Sequence, residues 1–127
     1  MIVLDASTLI AHLDASDAHH DRASALLLDH SDEPLGGSPL SLAEVLVGPA
    51  RAGQLDQATA VLHQLDVTSV GLAEDAPARL AVLRANTRLK MPDCCVLLAA
   101  EQTRGAVVTF DHRLAAAARE RGFVVHD

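Results

Sequence analysis

Aromatic side chains are nearly missing from this chain. Its 127 residues include no tryptophan, no tyrosine and two phenylalanines, Phe110 and Phe123. The core must then be built from Ala, Val, Leu and Ile, and the 50% hydrophobic content is enough for one. With both phenylalanines expected to lie buried beside strands, little aromatic surface remains for stacking on nucleobases. Cysteine is equally scarce. Cys94 and Cys95 are adjacent, which makes a poor disulfide framework and points to reduced, packed thiols in a reducing compartment. No apolar run approaches the roughly 18 residues needed to cross a bilayer. The opening Met1-Ile2-Val3-Leu4-Asp5 has no basic region and meets an acid too early for a signal peptide. A cytoplasmic protein with no membrane segment is expected. The charged fraction of 21% argues against disorder, and the length suits one domain spanning 1–127.

Positive charge is also short. The net charge is −7, at first sight wrong for a nucleic-acid binder. The imbalance is local, however. Residues 1–66 hold ten acids and two bases, whereas residues 67–127 hold seven acids and eight bases. A basic face beside an acidic centre is compatible with that distribution.

Ile2-Val3-Leu4 is a short apolar run ending at Asp5 and reads as a buried strand. A helix is expected from Ser7 to Ala15, and a second, capped by Asp17, through His30. Residues 32–39, rich in Gly and Pro, form a loop with room for a brief strand. Ser41-Leu42-Ala43-Glu44 opens a helix that should stop near Gly48-Pro49 or Gly53, and Leu55–Leu65 forms another. Val67–Val70 is a strand candidate, Glu74–Leu89 a helix, and Pro92 suits the first turn of a helix to about Thr103. Ala106–Thr109 is a buried strand, Asp111 caps a helix to Arg121, and Phe123–Val125 is a last strand. Strands separated by helices indicate an α/β fold with a mainly parallel sheet.

Four carboxylates stand out in this frame. Asp5 and Asp111 each follow a strand, and ligands of open parallel sheets bind beyond the carboxyl ends of the strands. Asp93 and Glu44 are expected in first helical turns, which begin at that same edge. Each acid also has a local explanation. Asp5 and Asp111 suit helix caps, Asp93 complements a helix dipole, and Glu44 pairs with Ser41 in a Ser-x-x-Glu capping box. Gathered at one rim, four carboxylates repel. A close pair at about 4 Å costs about 4 kcal/mol at an effective dielectric near 20, and a helix N-terminus returns only about 0.3–1 kcal/mol. Such a cluster must protonate or bind cations. An oxygen-only donor set suits Mg²⁺ or Mn²⁺ rather than zinc. Two such ions can activate water and stabilise a phosphodiester leaving group.

These residues resemble the PIN-domain nucleases, specifically the VapC-type toxins of VapBC toxin–antitoxin pairs. The likeness rests on Ile2-Val3-Leu4-Asp5-Ala6-Ser7, Ser41-Leu42-Ala43-Glu44-Val45, Leu89-Lys90-Met91-Pro92-Asp93 with its small apolar continuation, and Val107-Val108-Thr109-Phe110-Asp111. It covers nearly the whole chain. The resemblance implies a PIN-like three-layer sandwich, with a central parallel sheet of four or five strands flanked by helices. It implies a metal-dependent endoribonuclease that leaves a 3′-hydroxyl and a 5′-phosphate. Asp5, Glu44, Asp93 and Asp111 carry over as catalytic metal ligands for Mg²⁺ or Mn²⁺, with Asp5 and Asp93 foremost. Ser7 and Thr109 match positions that steady the acids or a metal-bound water. The resemblance further implies a homodimer inhibited by an antitoxin that occupies the acidic pocket. Two positions depart from the family pattern. Leu114 stands where many members have an aromatic, and the next acid after Asp111 is the distant Glu120, which puts a fifth carboxylate in doubt.

Arg84, Arg88 and Lys90 approach Asp93 along the chain. Arg84 and Arg88, four residues apart, would share a helix face, as a solvated surface or as phosphate contacts. With few aromatics, recognition by shape and phosphate favours a structured RNA such as a tRNA or ribosomal RNA loop. The seven histidines show no metal-binding spacing, and His112, beside Asp111, is the one to watch. Cys94 and Cys95 read as core residues rather than nucleophiles. Two other readings compete. One is a Mg²⁺-dependent phosphoryl-transfer protein of haloacid-dehalogenase or receiver type, although Asp5-Ala6-Ser7 lacks the second Asp of the former. The other is a non-catalytic PIN-like RNA-binding module, against which the presence of all four acids speaks.

Overall fold

A computed structural model describes all of residues 1–127. The chain alternates strands and helices: β1 (Ile2–Leu4), α1 (Ala6–Leu13), α2 (His20–Asp29), β2 (Leu35–Gly37), α3 (Pro39–Arg51), α4 (Leu55–Gln64), β3 (Val67–Ser69), α5 (Ala76–Asn86), α6 (Met91–Thr103), β4 (Ala106–Val108), α7 (His112–Glu120) and β5 (Val125–His126). The five strands form one sheet in the order β3-β2-β1-β4-β5, and every pairing is parallel. The expected α/β architecture is therefore present, with five strands. No helix is long and apolar enough to cross a membrane.

Because side chains alternate across a strand, β1 feeds both layers. Val3 and Val107 face a core built from α5, α6 and α7, including Leu83, Val96, Leu97, Leu98 and Leu114. Ile2, Leu4 and Val108 face a second core with Leu9, Leu26, Leu27, Val45 and Leu62 from α1–α4. Helix α6 is the most deeply embedded helix. Cys94 through Ala100 are all buried without a break, which is why the run Val96-Leu97-Leu98-Ala99-Ala100 shows no amphipathic stripe. Cys94 and Cys95 are free thiols inside this block. Burial pushes both thiols up from their ordinary value, so they serve packing.

Gly36 suits β2 because the strand is tightly covered. A Cβ on Gly36 would come within 2.8 Å of Met1 Sδ and 3.0 Å of Val70 Cγ2. Helix α3 starts earlier than Ser41. Ser38 is its N-cap, its Oγ accepting from the Ser41 amide at 3.1 Å, and Pro39 occupies the first turn. The helix runs through Gly48-Pro49 and ends before Gly53, which sits at φ +70. Helix α2 starts at His20 rather than beside Asp17. The Asp17 carboxylate instead accepts from the His19 amide at 2.8 Å, a local turn that holds the chain out of helix for another two residues. Helix α5 stops at Asn86. Thr87 is extended, donating its hydroxyl to the Leu83 carbonyl and accepting from the Leu89 amide. The last strand lies at Val125–His126, two residues beyond the expected start, after a turn through Gly122 at φ +84.

Candidate active site

The order of the strands creates the site. The chain moves outward from β1 through β2 to β3, then returns across the sheet to β4 on the other side of β1. The carboxyl ends of β1 and β4 are thus the switch point where parallel sheets leave a crevice. Asp5 follows β1 and Thr109-Phe110-Asp111 follows β4, and the two strands pair in register, Leu4 with Val108.

A hydrogen-bonded knot joins the two strand ends. Asp5 is buried, with 7% of the residue exposed. Its Oδ1 accepts from the Ala6 amide at 2.8 Å, and its Oδ2 accepts from Ser7 Oγ at 2.9 Å and Thr109 Oγ1 at 2.8 Å. Each hydroxyl also accepts from a backbone amide of the β4 side. The Phe110 amide donates to Ser7 Oγ at 3.2 Å, and the Asp111 amide donates to Thr109 Oγ1 at 3.0 Å. Ser7 and Thr109 therefore do more than touch Asp5: they fix it to the segment that carries Asp111. No buried side-chain polar atom is left without a partner.

The other acids reach the same place by different routes. Asp111 caps α7, its Oδ1 accepting from the Arg113 and Leu114 amides at 2.9 and 3.0 Å. Asp93 lies in the first turn of α6, whose N-cap is Lys90. Glu44 is not in a first turn. With Ser38 as the cap, Glu44 falls in the second turn of α3, and the expected Ser41–Glu44 capping box does not form. Its local structural explanation is thereby removed, since the side chain lines the cleft instead.

One cleft of about 710 Å³ takes in Asp5, Glu44, Asp93 and Asp111, with Ser7, Phe110 and His112 on its wall. None of the ion pairs in the protein includes any of these four acids. The electrostatic consequence falls on Asp93, whose pKa rises to about 6. Burial is the largest cause, followed by the negative charges of Asp5, Asp111 and Glu44, with Lys90 opposing them. The four carboxylates thus share one field. No three of them, nor of any His, Cys, Asp and Glu in the protein, are grouped as a ready-made ligand set. The donor chemistry, all carboxylate oxygen in a mutually repelling cluster, nevertheless suits a hard divalent cation.

The basic residues are redistributed relative to the sequence reading. Because α5 ends at Asn86, Arg84 and Arg88 do not share a helix face. The short connector 87–90, bent at its start, delivers Arg88 and Lys90 to the acidic cleft, while Arg84 stays outside its lining. The Arg84 charge is felt instead by the Cys94 thiol. Arg113, which sequence reasoning did not single out, completes the basic rim, and its position in the first turn of a helix capped by Asp111 was the available signal. Arg88 and Arg113 also line an adjoining cleft on the α5–α7 side. Phe110 is a further correction. It is only half buried, lines the acidic cleft, and stacks on His19 with ring centroids 4.5 Å apart.

Comparison with known proteins agrees with this architecture. No curated protein matches the chain by sequence. Among solved structures it is similar to the sarcin–ricin-loop-cleaving toxin VapC20 of Mycobacterium tuberculosis (TM-score 0.77, 21% identity, 98% of this chain and 97% of that one). It is also similar to a chain of a toxin–antitoxin complex from Klebsiella pneumoniae (TM-score 0.73, 22% identity, 91% of each chain). A third match is to VapBC2 from Rickettsia felis bound to promoter DNA (TM-score 0.70, 15% identity, 99% and 98%). The model of the PIN domain matches residues 2–120. That match sets aside a haloacid-dehalogenase or receiver protein, and the chain belongs to the PIN domain family.

Proposed function

We propose that this protein is a metal-dependent endoribonuclease acting as the toxin of a VapBC-type toxin–antitoxin pair. The observation that carries the proposal is the gathering of Asp5, Glu44, Asp93 and Asp111 in one cleft at the β1–β4 switch point, where three of them raise the pKa of the fourth. Helix caps alone account for Asp5 and Asp111 singly, but not for the company of Asp93 and an uncapped Glu44. The fold shared with VapC20 and with chains of toxin–antitoxin complexes supports the toxin reading.

In this reading Asp5 and Asp93 are the principal ligands of Mg²⁺ or Mn²⁺, with Asp111 and Glu44 completing the acidic set. When bound, the metal supplies an activated water and charge stabilisation for phosphodiester hydrolysis. The protein's own contribution is positional. Ser7 and Thr109 hold Asp5 in one orientation against the repulsion of its neighbours. Asp111 uses Oδ1 to cap α7, which anchors its carboxylate to a rigid element. Arg88, Lys90 and Arg113 face the same cleft and suit contacts with the phosphates flanking the scissile bond. An antitoxin would inhibit by placing a basic side chain among the four acids. The acids would accept it for the same reason they accept a cation. A homodimer working in the cytoplasm and a structured RNA target such as a tRNA or ribosomal RNA loop complete the proposal.

The test uses the purified chain free of any partner, incubated with total RNA in Mg²⁺, in Mn²⁺ and in EDTA. Cleavage is expected with metal only, and is expected to be abolished by Asp5→Ala and by Asp93→Asn. Metal-independent cleavage, or cleavage that survives both substitutions, would overturn the mechanism. RNA binding without cleavage under every condition would favour the non-catalytic module.

A further inference from the structure

We infer that the stacked pair Phe110–His19 is a nucleobase-binding platform that seats a base adjoining the scissile phosphate. This deepens the ribonuclease reading and rests on it. Phe110 is one of two phenylalanines in the chain, and the two are used differently. Phe123 packs against the core formed with α5–α7. Phe110 packs against the opposite core yet stays half exposed and lines the acidic cleft. Its ring lies nearly parallel to the His19 imidazole, 4.5 Å between centroids with 13° between planes. A core contact would not require an exposed histidine, and His19 is exposed.

The main chain beneath each ring is pinned, and the rings rest on one another. The His19 amide donates to Asp17 Oδ1 at 2.8 Å, and the His19 carbonyl accepts from the Ala23 amide at the start of α2. The Phe110 amide donates to Ser7 Oγ, the same hydroxyl that holds Asp5. The Phe110 backbone and the principal carboxylate are therefore parts of one hydrogen-bonded frame. Rigid placement is what a stacking site needs, because little ordering entropy is then lost on binding.

The platform also opens onto a second, smaller cavity of about 170 Å³, on whose wall His19 and Phe110 are joined by Arg22, His112, Ala115 and Asp127. That volume is on the scale of a single base. Arg22 closes one side of the cavity by donating to the Asp127 carbonyl, and Arg119 holds the Asp127 carboxylate, so the groups left to meet a base are the ring faces and the His112 imidazole. Phe110 and Asp111 line this cavity and the acidic cleft alike. A nucleotide with its phosphate among the acids and its base turned out of the stack would occupy both. The occupant is thus an unpaired base of a loop or a strand end, since a base held in a duplex presents no free face.

The experiment places the fluorescent base 2-aminopurine at successive positions of short single-stranded RNAs and titrates them with the Asp93→Asn protein. Quenching is expected at one position, and it should be lost in Asp93→Asn carrying His19→Ala or Phe110→Leu as well. Phe110→Leu keeps the apolar contact with the core and removes only the π-face. Independently, removing that base from the RNA should lower kcat/KM of the wild-type protein about tenfold, or ~1.4 kcal/mol, and cost the His19→Ala protein almost nothing. Absence of quenching, quenching that survives both substitutions, or an abasic penalty equal in wild type and His19→Ala would overturn the platform. An antitoxin side chain as the true occupant would give the first or third of these outcomes. Quenching from a protein whose wild-type form cuts nothing in total RNA with Mg²⁺ or Mn²⁺ would sink the nuclease reading while leaving the platform intact.

Discussion

Replacing Asp93 by Asn should stabilise the metal-free protein, against the usual rule that substitutions in a folded domain destabilise. The pKa of Asp93 rises from 3.8 to about 6, roughly two units, each worth about 1.4 kcal/mol of differential interaction. That product is an upper bound near 3 kcal/mol. Asp93 is only partly buried, so solvent screening reduces it to about 1–1.5 kcal/mol. Loss of a negative charge from the first turn of α6 takes back about 0.3–1 kcal/mol. A net gain of up to about 1 kcal/mol at pH 7.5 is expected, or up to roughly 4 °C in Tm for a domain of this size. The sign follows from proton linkage. A carboxyl whose folded pKa is raised contributes its stability below its unfolded value of 3.8 and loses it as pH rises through about 6. The wild-type protein therefore regains ground as pH falls from about 6 to about 4, and the advantage of Asn should vanish by about pH 4. Thermal unfolding in EDTA across roughly pH 4–7.5 measures this directly. Adding Mg²⁺ or Mn²⁺ at about pH 7.5 should reverse the order by stabilising the wild-type protein more. An Asn variant less stable than wild type in EDTA at that pH, or a gain that does not shrink on acidification, would refute the idea that the four carboxylates strain the metal-free site.

Thr109→Val preserves shape while removing the hydroxyl that both donates to Asp5 and accepts from the Asp111 amide. It should cost roughly 2–4 kcal/mol in urea denaturation and depress RNA cleavage, and a loss below about 1 kcal/mol would show that Ser7 suffices. Ser38→Ala should destabilise by about 1 kcal/mol through loss of the α3 cap, and a larger effect from Ser41→Ala would restore the capping box that the structure lacks. Arg88→Gln should reduce the salt dependence of RNA binding by about one phosphate contact, whereas Arg84→Gln, outside the cleft, should leave it unchanged. Filter binding over a range of salt separates the two.

The strand-end acids were legible because strands and their ends are written in local pattern. Ile2-Val3-Leu4-Asp5 and Ala106-Val107-Val108 carry the apolar runs of buried strands, and a residue just past such a run in a parallel sheet lies near the crevice. Asp93 was legible through Pro92, which marks a first helical turn. The Ser41–Glu44 spacing misled because Ser38-Pro39 offers an equally good start one turn earlier. Similarly, nothing local in the run from Glu74 to Leu89 announces that Thr87 turns its hydroxyl back onto Leu83 and ends α5 at Asn86.

The sequence by itself determined the alternation of strands and helices, the aliphatic make-up of the core and the strand-end places of Asp5 and Asp111. Each of these depends on residue periodicity or on one residue's place beside a strand. Tertiary structure alone decided three further matters. The pairing of β1 with β4 brought Asp5 within reach of Thr109, 104 positions away in the chain. The early end of α5 separated Arg88 from Arg84 and left Arg88 on the cleft. The turn before α2 laid His19 on Phe110, turning a residue expected to be buried into part of the cleft wall. These depend on contacts between segments far apart in sequence, and no local pattern encodes how such segments meet.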